Sequence, residues 1–138
     1  MTSTSMTEDQ LQKQVASYLK VALPDGSIFH HSPNEGTRHV NFKMKLKSFG
    51  TQSGWPDLEI FCPGPIIIFI ELKRAKPKGK LSFNQALLRD QFENLGLHWA
   101  MCCTLDEVVD FLSPIVRLKG GTRFINLAKN GNTGRRVR

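Results

Sequence analysis

Three residues near the middle of the chain, Asp57, Glu71 and Lys73, carry side chains that can work together in metal-dependent chemistry. Because side chains alternate across a strand, Glu71 and Lys73 lie on one face of the apolar strand that contains them. A predicted hairpin places the strand that begins at Asp57 beside it, so all three can share that face. Two carboxylates about 4 Å apart repel by roughly 4 kcal/mol at an effective dielectric near 20. Such a pair tends to share a proton or bind a cation.

Oxygen ligands at a partly open site favour Mg²⁺ or Mn²⁺ over zinc. A lysine beside such an ion can orient the attacking water, offset charge on a phosphate or accept a proton. A Glu-x-Lys pair on a strand is also common at solvated sheet edges, so this spacing alone leaves both interpretations open.

The elements that position these residues follow from hydrophobic periodicity and turn signals. Pro63-Gly64-Pro65 joins two strands into a hairpin, and capping signatures at Ser82 and Thr104 open two helices. The segment 38–48 is ambiguous between helix and loop. We expect helices over 8–22, 82–95 and 104–113, and strands over 28–31, 57–62, 66–72 and 99–103. This order predicts an α/β sandwich with a mixed sheet of about four strands flanked by helices, and the apolar strand 66–72 at its centre.

Positive charge is concentrated in three regions of the chain. They are a first cluster of Lys43, Lys45 and Lys47, a second cluster of lysines and an arginine within residues 73–80, and the C-terminal part. Residues 1–113 hold 12 Lys and Arg against 12 Asp and Glu, and seven further cations after Pro114 give the net charge of +7. Such a block indicates either a polyanionic partner or a solvated, partly disordered tail. The two clusters flank the candidate carboxylates in sequence. Cations around a carboxylate patch suit an enzyme acting on a phosphodiester backbone, because the metal needs anions and the substrate needs cations.

Composition excludes several classes of protein. With 138 residues, 40% hydrophobic and 22% charged, the chain is expected to form one domain with its own core. The longest apolar run is far below the roughly 20 residues of a spanning helix, so no membrane association is expected. The polar N-terminus lacks a signal-peptide pattern and predicts an intracellular protein. Cys62, Cys102 and Cys103 fit neither a disulfide set nor zinc spacing and are expected to be buried thiols.

Three motifs together resemble one known family. They are Gly54-Trp55-Pro56-Asp57, Phe69-Ile70-Glu71-Leu72-Lys73 and Gly79-Lys80-Leu81-Ser82-x-x-Gln85. They look like the VRR-NUC group of the PD-(D/E)xK nucleases, which have the restriction-endonuclease-like fold. The first helix and the segment 31–36 also fit. The likeness covers about residues 8–113, and residues 114–138 form a basic C-terminal extension outside it. Stand-alone members of this size occur in bacteriophages and bacteria.

The resemblance implies a role for individual residues. Asp57, Glu71 and the main-chain carbonyl of Leu72 correspond to metal ligands, and Lys73 to the catalytic lysine. The acid of the first helix corresponds to Glu8, although Asp9 and Gln10 permit another register. Gln85 matches a glutamine near the active site, but as the fourth residue of Ser82-x-x-Gln85 it can equally be a helix cap. Glu59 departs from the usual apolar pattern and is either an added ligand or solvent-facing.

Other polar and aromatic residues keep two interpretations. Asn34, Glu35 and Gly36 form either a tight turn or a DNA contact. One of His30 and His31, which face opposite sides of a strand, can approach the metal site, although a core or surface histidine is the more ordinary role. Trp55 either wedges against DNA or, as we expect, packs the turn. Trp99 is expected in the core.

The predicted function is therefore a Mg²⁺- or Mn²⁺-dependent endonuclease that hydrolyses DNA and selects flaps, nicks or junctions rather than sequence. Cations that track the backbone carry no base information; they are Lys43, Lys45, Lys47, Lys76, Lys78 and Lys80. Cutting both strands needs two sites, so a homodimer is expected, in the cytoplasm of a bacterial or phage-infected cell. The alternatives are a catalytically weak or inactive DNA-binding module of the same fold and a phosphoesterase that acts on small nucleotides.

Overall fold

Four strands and five helices make up the computed structural model, which describes residues 6–33 and 40–131. In chain order they are α1 (Glu8–Ala22), β1 (Ile28–His31), α2 (Val40–Ser48), β2 (Leu58–Cys62), β3 (Ile66–Leu72), α3 (Phe83–Asn94), β4 (His98–Cys102), α4 (Leu105–Leu112) and α5 (Gly121–Lys129). The ambiguous segment 38–48 thus contains a helix, α2. The fourth strand begins and ends one residue earlier than predicted.

The sheet has the strand order β1-β2-β3-β4. The first three strands are antiparallel, and β4 runs parallel to β3. The last five residues of β3 are buried, as expected for an apolar strand covered on both faces. These pairings confirm the predicted mixed four-stranded α/β sandwich.

The two faces of the sheet bury different clusters. The main core joins one face to α1, α4 and α5, and Val15, Ile60 and Ile70 lie fully buried in it. On the other face Phe69 stacks on Phe92 of α3 at a ring distance of 4.2 Å. Trp55 meets these rings edge-on, 5.7 and 5.2 Å from their centroids. Trp55 therefore packs the turn before β2, as expected.

Trp99 is partly buried and packs against this second cluster, so its expected place in the core is only partly realised. The three cysteines are buried free thiols, as predicted. Burial raises the pKa of the Cys102 thiol to about 12.

No helix within the described ranges is long and apolar enough to cross a membrane.

A fifth helix, which the sequence did not predict, lies in the C-terminal extension. Ala128 of α5 is buried, and Phe124 and Ile125 pack against the main core. Two of the seven C-terminal cations pair with acids of the body: Lys119 with Asp25, and Lys129 with Asp106 at 2.9 Å. Residues 114–131 therefore belong to the same packed unit as the sheet. Arg135, Arg136 and Arg138 lie outside the described residues.

Replacing Ile125 tests this packing. We expect Ile125→Ala to lower the free energy of unfolding by about 1–3 kcal/mol, because the apolar contacts of α5 with the core are lost. Leu95→Ala is the matched control, since Leu95 is 73% exposed and should change stability by no more than about 0.5 kcal/mol. Urea denaturation measures both. Equal effects of the two substitutions would contradict the packing of α5.

Candidate active site

The structure brings Asp57, Glu71 and Lys73 together at the end of β3, on the face that α3 covers. The β2–β3 register pairs Leu58 with Ile70, so Asp57 lies opposite Glu71. Asp57 Oδ2 accepts a 2.7 Å hydrogen bond from the Leu72 main-chain N–H. Lys73 Nζ lies 3.9 Å from Glu71 Oε2. The shared face that strand alternation predicts is therefore formed; the catalytic roles of the three residues remain predictions.

Glu71 is the electrostatically costly residue of this group. It is only 3% exposed and is the sole buried charged residue in the described part of the chain. Burial raises its pKa to about 9, with a side-chain hydrogen bond to Asp57 and repulsion from Asp57 and Glu8 acting in the same direction. Lys73 acts in the opposite direction. Without an added cation, the Asp57–Glu71 pair therefore tends to hold a proton.

The donor set fits a hard divalent cation. Because N–H and C=O of one strand residue point to the same side, the Leu72 carbonyl faces the Asp57 side of β3. Among the described residues, no three His, Cys, Asp or Glu side chains come close enough to hold a metal ion unaided. Mg²⁺ is commonly held by one or two carboxylates, with waters and substrate phosphates completing its shell. Two carboxylates and a carbonyl suit that mode and do not suit a closed structural zinc site.

A glycine determines how the chain covers Lys73. The side chain of Lys73 is only 15% exposed. The loop that follows it closes through a 3.0 Å hydrogen bond from Gly79 N–H to the Arg74 carbonyl. A Cβ atom at position 79 would lie 2.9 Å from Lys73 Cβ and 3.2 Å from Cδ, too close for an ordinary contact. Gly79 therefore lets the loop pack directly on the lysine stem.

A second glycine holds the turn before Asp57 against α3. Gly54 has φ of +83°, and a Cβ there would lie 2.7 Å from backbone atoms of Asn84 and Gln85. Gln85 belongs to the cap of this helix, because its Oε1 accepts a 2.8 Å hydrogen bond from Ser82 N–H. Gln85 also lines the cleft at the candidate site. The two interpretations of Gln85 are thus compatible, and the amide N–H groups are available to a ligand.

The structure resolves the register of the first helix. Gln10 takes part in the N-terminal cap, with its Oε1 accepting a 2.9 Å hydrogen bond from Thr7 N–H. Glu8 lines the cleft and is close enough to Glu71 to raise its pKa. Glu8, rather than Asp9, is therefore the first-helix acid at the candidate site.

Two residues of the β1 end fix the backbone of Asp57, and their role was not foreseen from sequence. His31 Nδ1 and Ser32 N–H both donate to the Asp57 carbonyl, at 3.0 and 2.9 Å. Ser32 Oγ also donates to Glu59 Oε1 at 3.1 Å. Glu59 thus has a partner of its own and does not line the cleft. The signal available in the sequence was the polar pair His31-Ser32 where a short strand ends.

The candidate site opens into a cleft of about 640 Å³. Its walls include Lys43 and Leu46 of α2, the loop 50–55, and Ser82, Asn84 and Gln85 at the start of α3. The other candidate DNA-binding cations lie around it rather than in it. Lys47 lines a neighbouring groove, Lys78 and Lys80 line a separate pocket, Lys45 lies 5.8 Å from the Phe49 ring centre, and Lys76 is an exposed loop residue. Asn34, Glu35 and Gly36 lie outside the described residues.

The raised pKa of Glu71 predicts a pH-dependent stability difference. Folding raises this pKa from 4.5 to about 9, so the folded protein holds this proton more tightly than the unfolded chain does. The free energy of unfolding therefore decreases as the pH rises from about 4.5 to about 9. Glu71→Gln removes the titration. In metal-free protein we expect wild type and Glu71→Gln to unfold at similar temperatures at pH 4. At pH 8 the variant should unfold about 5 °C or more higher, since 1 kcal/mol corresponds to roughly 3–5 °C at this size.

Differential scanning calorimetry in EDTA measures this difference, with Glu59→Gln as the matched control. If the unfolding temperatures of wild type and Glu71→Gln differ by the same amount at every pH, the raised pKa of Glu71 is contradicted.

Comparisons with known proteins place this geometry on a known fold. No family model and no curated protein matches the chain. A solved structure named "VRR_NUC domain protein" aligns with a TM-score of 0.61 at 21% identity, over 80% of this chain and 88% of that one. A second, named "VRR_NUC domain", aligns with a TM-score of 0.52 at 20% identity, over 80% of this chain and 98% of that one. The chain therefore has the fold of the VRR_NUC domain structures.

Proposed function

We propose that this protein belongs to the VRR-NUC group and is a Mg²⁺- or Mn²⁺-dependent endonuclease that hydrolyses phosphodiester bonds in DNA. The observation that supports this most is the buried Glu71, which shares a site with Asp57 at the base of an open cleft and has Lys73 3.9 Å away. A carboxylate whose pKa is raised by burial is costly for folding and is typical of a functional site. The two solved structures of the same fold carry the VRR_NUC name.

In this proposal Asp57, Glu71 and the Leu72 carbonyl hold the divalent ion, with Glu8 at the edge of the site. When bound, the ion lowers the pKa of water and stabilises negative charge on the phosphate. The Lys73 ammonium donates hydrogen bonds to the scissile phosphate and orients the attacking water. Gln85 presents its free amide N–H groups to the same cleft. Hydrolysis breaks one P–O bond of the backbone, and water supplies the new oxygen.

We propose that the DNA backbone crosses the cleft between two groups of cations. Lys43, Lys45 and Lys47 lie on α2 on one side, and Lys76, Lys78 and Lys80 lie on the loop after Lys73 on the other. Phosphate contacts position the DNA without reading its sequence, so preference for flaps, nicks or junctions follows from shape.

Cleavage of both strands requires a second site. We propose a homodimer, which light scattering would detect as twice the 15.6 kDa mass of one chain. The proposed place of action is the cytoplasm of a bacterial or phage-infected cell.

Conservative substitutions test the nuclease. We expect wild type to cleave flapped and supercoiled DNA with Mn²⁺, and Asp57→Asn and Lys73→Met to be slower by about 10²–10⁴-fold. The amide introduced by Asp57→Asn keeps an oxygen that can accept the hydrogen bond from Leu72 N–H, so the loss is not a folding defect. Glu59→Gln, in β2 two residues after Asp57 but outside the cleft, should cleave like wild type.

The outcomes separate the candidate functions. Identical products from wild type and both cleft variants would contradict the nuclease. If wild type and the variants all bind DNA tightly but none of them cleaves it, the inactive DNA-binding module is favoured. Hydrolysis of small phosphodiesters at a rate that does not depend on salt concentration would favour the nucleotide phosphoesterase. The affinity for a polyanion such as DNA instead falls steeply as the salt concentration rises.

Metal binding is expected to stabilise the fold independently of activity. A ligand at one hundred times its dissociation constant adds about 2.7 kcal/mol to the free energy of unfolding. Mn²⁺ should therefore raise the melting temperature of wild type and of Glu59→Gln, but not that of Asp57→Asn. An equal rise in all three proteins would place the ion elsewhere.

Gly79→Ala tests how Lys73 is positioned. The φ of Gly79 lies outside the left-handed region, so alanine there should stabilise the fold by about 0.4–1 kcal/mol if the added atom met no obstacle. The contact with Lys73 instead forces the lysine or the loop to move, and a misplacement of about 1 Å can cost about 10²-fold in rate. We expect kcat to fall by a much larger factor than any rise in KM for DNA.

Ala75→Gly is the control for this experiment, because it loosens the same loop without adding an atom beside Lys73. A wild-type kcat in Gly79→Ala, or an equal loss in Ala75→Gly, would contradict the positioning role.

A further inference from the structure

A second pocket is lined in part by the loop that covers Lys73. Its volume is about 480 Å³, within the range of roughly 300–1,000 Å³ typical of small-ligand sites. The pocket is formed by the loop, α3 and β4. Its lining consists of Lys78, Gly79, Lys80, Leu81, Arg89, Trp99 and Met101.

The lining of this pocket combines an apolar surface with positive charge. Leu81, Trp99 and Met101 supply the apolar part, and the cations are Lys78, Lys80 and Arg89. None of its lining residues is an acid. Outside the lining, Asp90 pairs with Arg89 through Nε at 3.0 Å, and both side chains are exposed. The guanidinium NH₂ groups of Arg89 have no partner in that pair.

This combination matches the chemistry of a nucleotide. A base stacks on an aromatic side chain, and this contact tolerates any base because every base has a π face. Lysine and arginine bind the phosphate of the same nucleotide. A paired base inside a duplex cannot expose its face to Trp99, so the occupant has to be unpaired.

The pocket is directly connected to the candidate active site. Gly79 lines it, and the same glycine packs on the stem of Lys73. A nucleotide held here therefore lies beside the loop residue that packs on the candidate catalytic lysine.

We propose that this pocket, named the Trp99 pocket, binds one unpaired nucleotide of the DNA substrate next to the cleavage site. The base stacks on Trp99, and its phosphate contacts Lys78, Lys80 and Arg89. The proposal rests on the nuclease function and deepens it, because it gives a physical reason for selecting DNA with a flap or an interrupted strand.

Tryptophan fluorescence tests the pocket without any cleavage. The chain has two tryptophans, so Trp55→Phe leaves Trp99 as the sole tryptophan, and its emission is followed with excitation selective for tryptophan. The probes are a thymidine trinucleotide and an abasic trinucleotide of equal charge, both added to the full chain in EDTA. We expect saturable quenching by the thymidine probe and about tenfold weaker binding of the abasic one. Lys80→Gln combined with Arg89→Gln should weaken both probes.

A reciprocal measurement covers the case in which Trp55→Phe folds poorly. Wild type should quench a trinucleotide that carries 2-aminopurine, and Trp99→Leu should not, with circular dichroism confirming that the variant is folded. Equal binding of the thymidine and abasic probes, or no quenching in either format, would overturn the Trp99 pocket. If the protein cleaves DNA but shows no quenching, only the proposal for the Trp99 pocket is contradicted. If quenching occurs but DNA is never cleaved, only the nuclease proposal is contradicted.

Discussion

The structure depends on one unfavourable arrangement, the burial of Glu71 against Asp57. Strand β3 is apolar from Ile66 to Ile70, and burial of an apolar residue at position 71 would have added stability. A carboxylate there costs desolvation energy that hydrophobic packing elsewhere has to offset. The remaining charge near it is mixed, since Lys73 stabilises the ionised form while Asp57 and Glu8 destabilise it. Such an arrangement is explained most directly by a ligand that compensates the negative charge.

The surrounding contacts hold the Asp57–Glu71 pair in place but do not remove the electrostatic repulsion between the two carboxylates. Asp57 is fixed by its side-chain bond to Leu72 N–H and by two donors to its own carbonyl. Gly54 brings the turn before it against the start of α3, and Gly79 brings the next loop against Lys73. Each of these contacts is steric or directional, and none of them neutralises a carboxylate. The chain thus stabilises the geometry of the pair, while its charge is left to a proton or, in the proposed function, to a bound cation.

Much of this arrangement could be predicted from local pattern. The run Ile66–Leu72 and the hairpin before it fixed which side chains share a face, because alternation and register are local rules. The helix α2 could not be predicted in the same way, since it buries no residue and has no clear apolar stripe. For α5 a signal existed in Phe124, Ile125 and Ala128, but the uniform positive charge around them indicated a polyanion-binding segment or a solvated tail and not a packed helix. The close contacts of Gly54 and Gly79 depend on elements that meet only in the folded chain.

Charge around the cleft limits what can enter it. Glu8, Asp57 and Glu71 line its base and would repel a phosphate if all three were ionised with no cation between them. Lys43 and Lys73 are the cations of that lining, and further lysines lie on both sides of it. An anionic substrate is therefore attracted to the rim and repelled from the base. In the proposed function a divalent cation would offset that repulsion, so the same carboxylates that repel a phosphate would bind a phosphodiester through the ion.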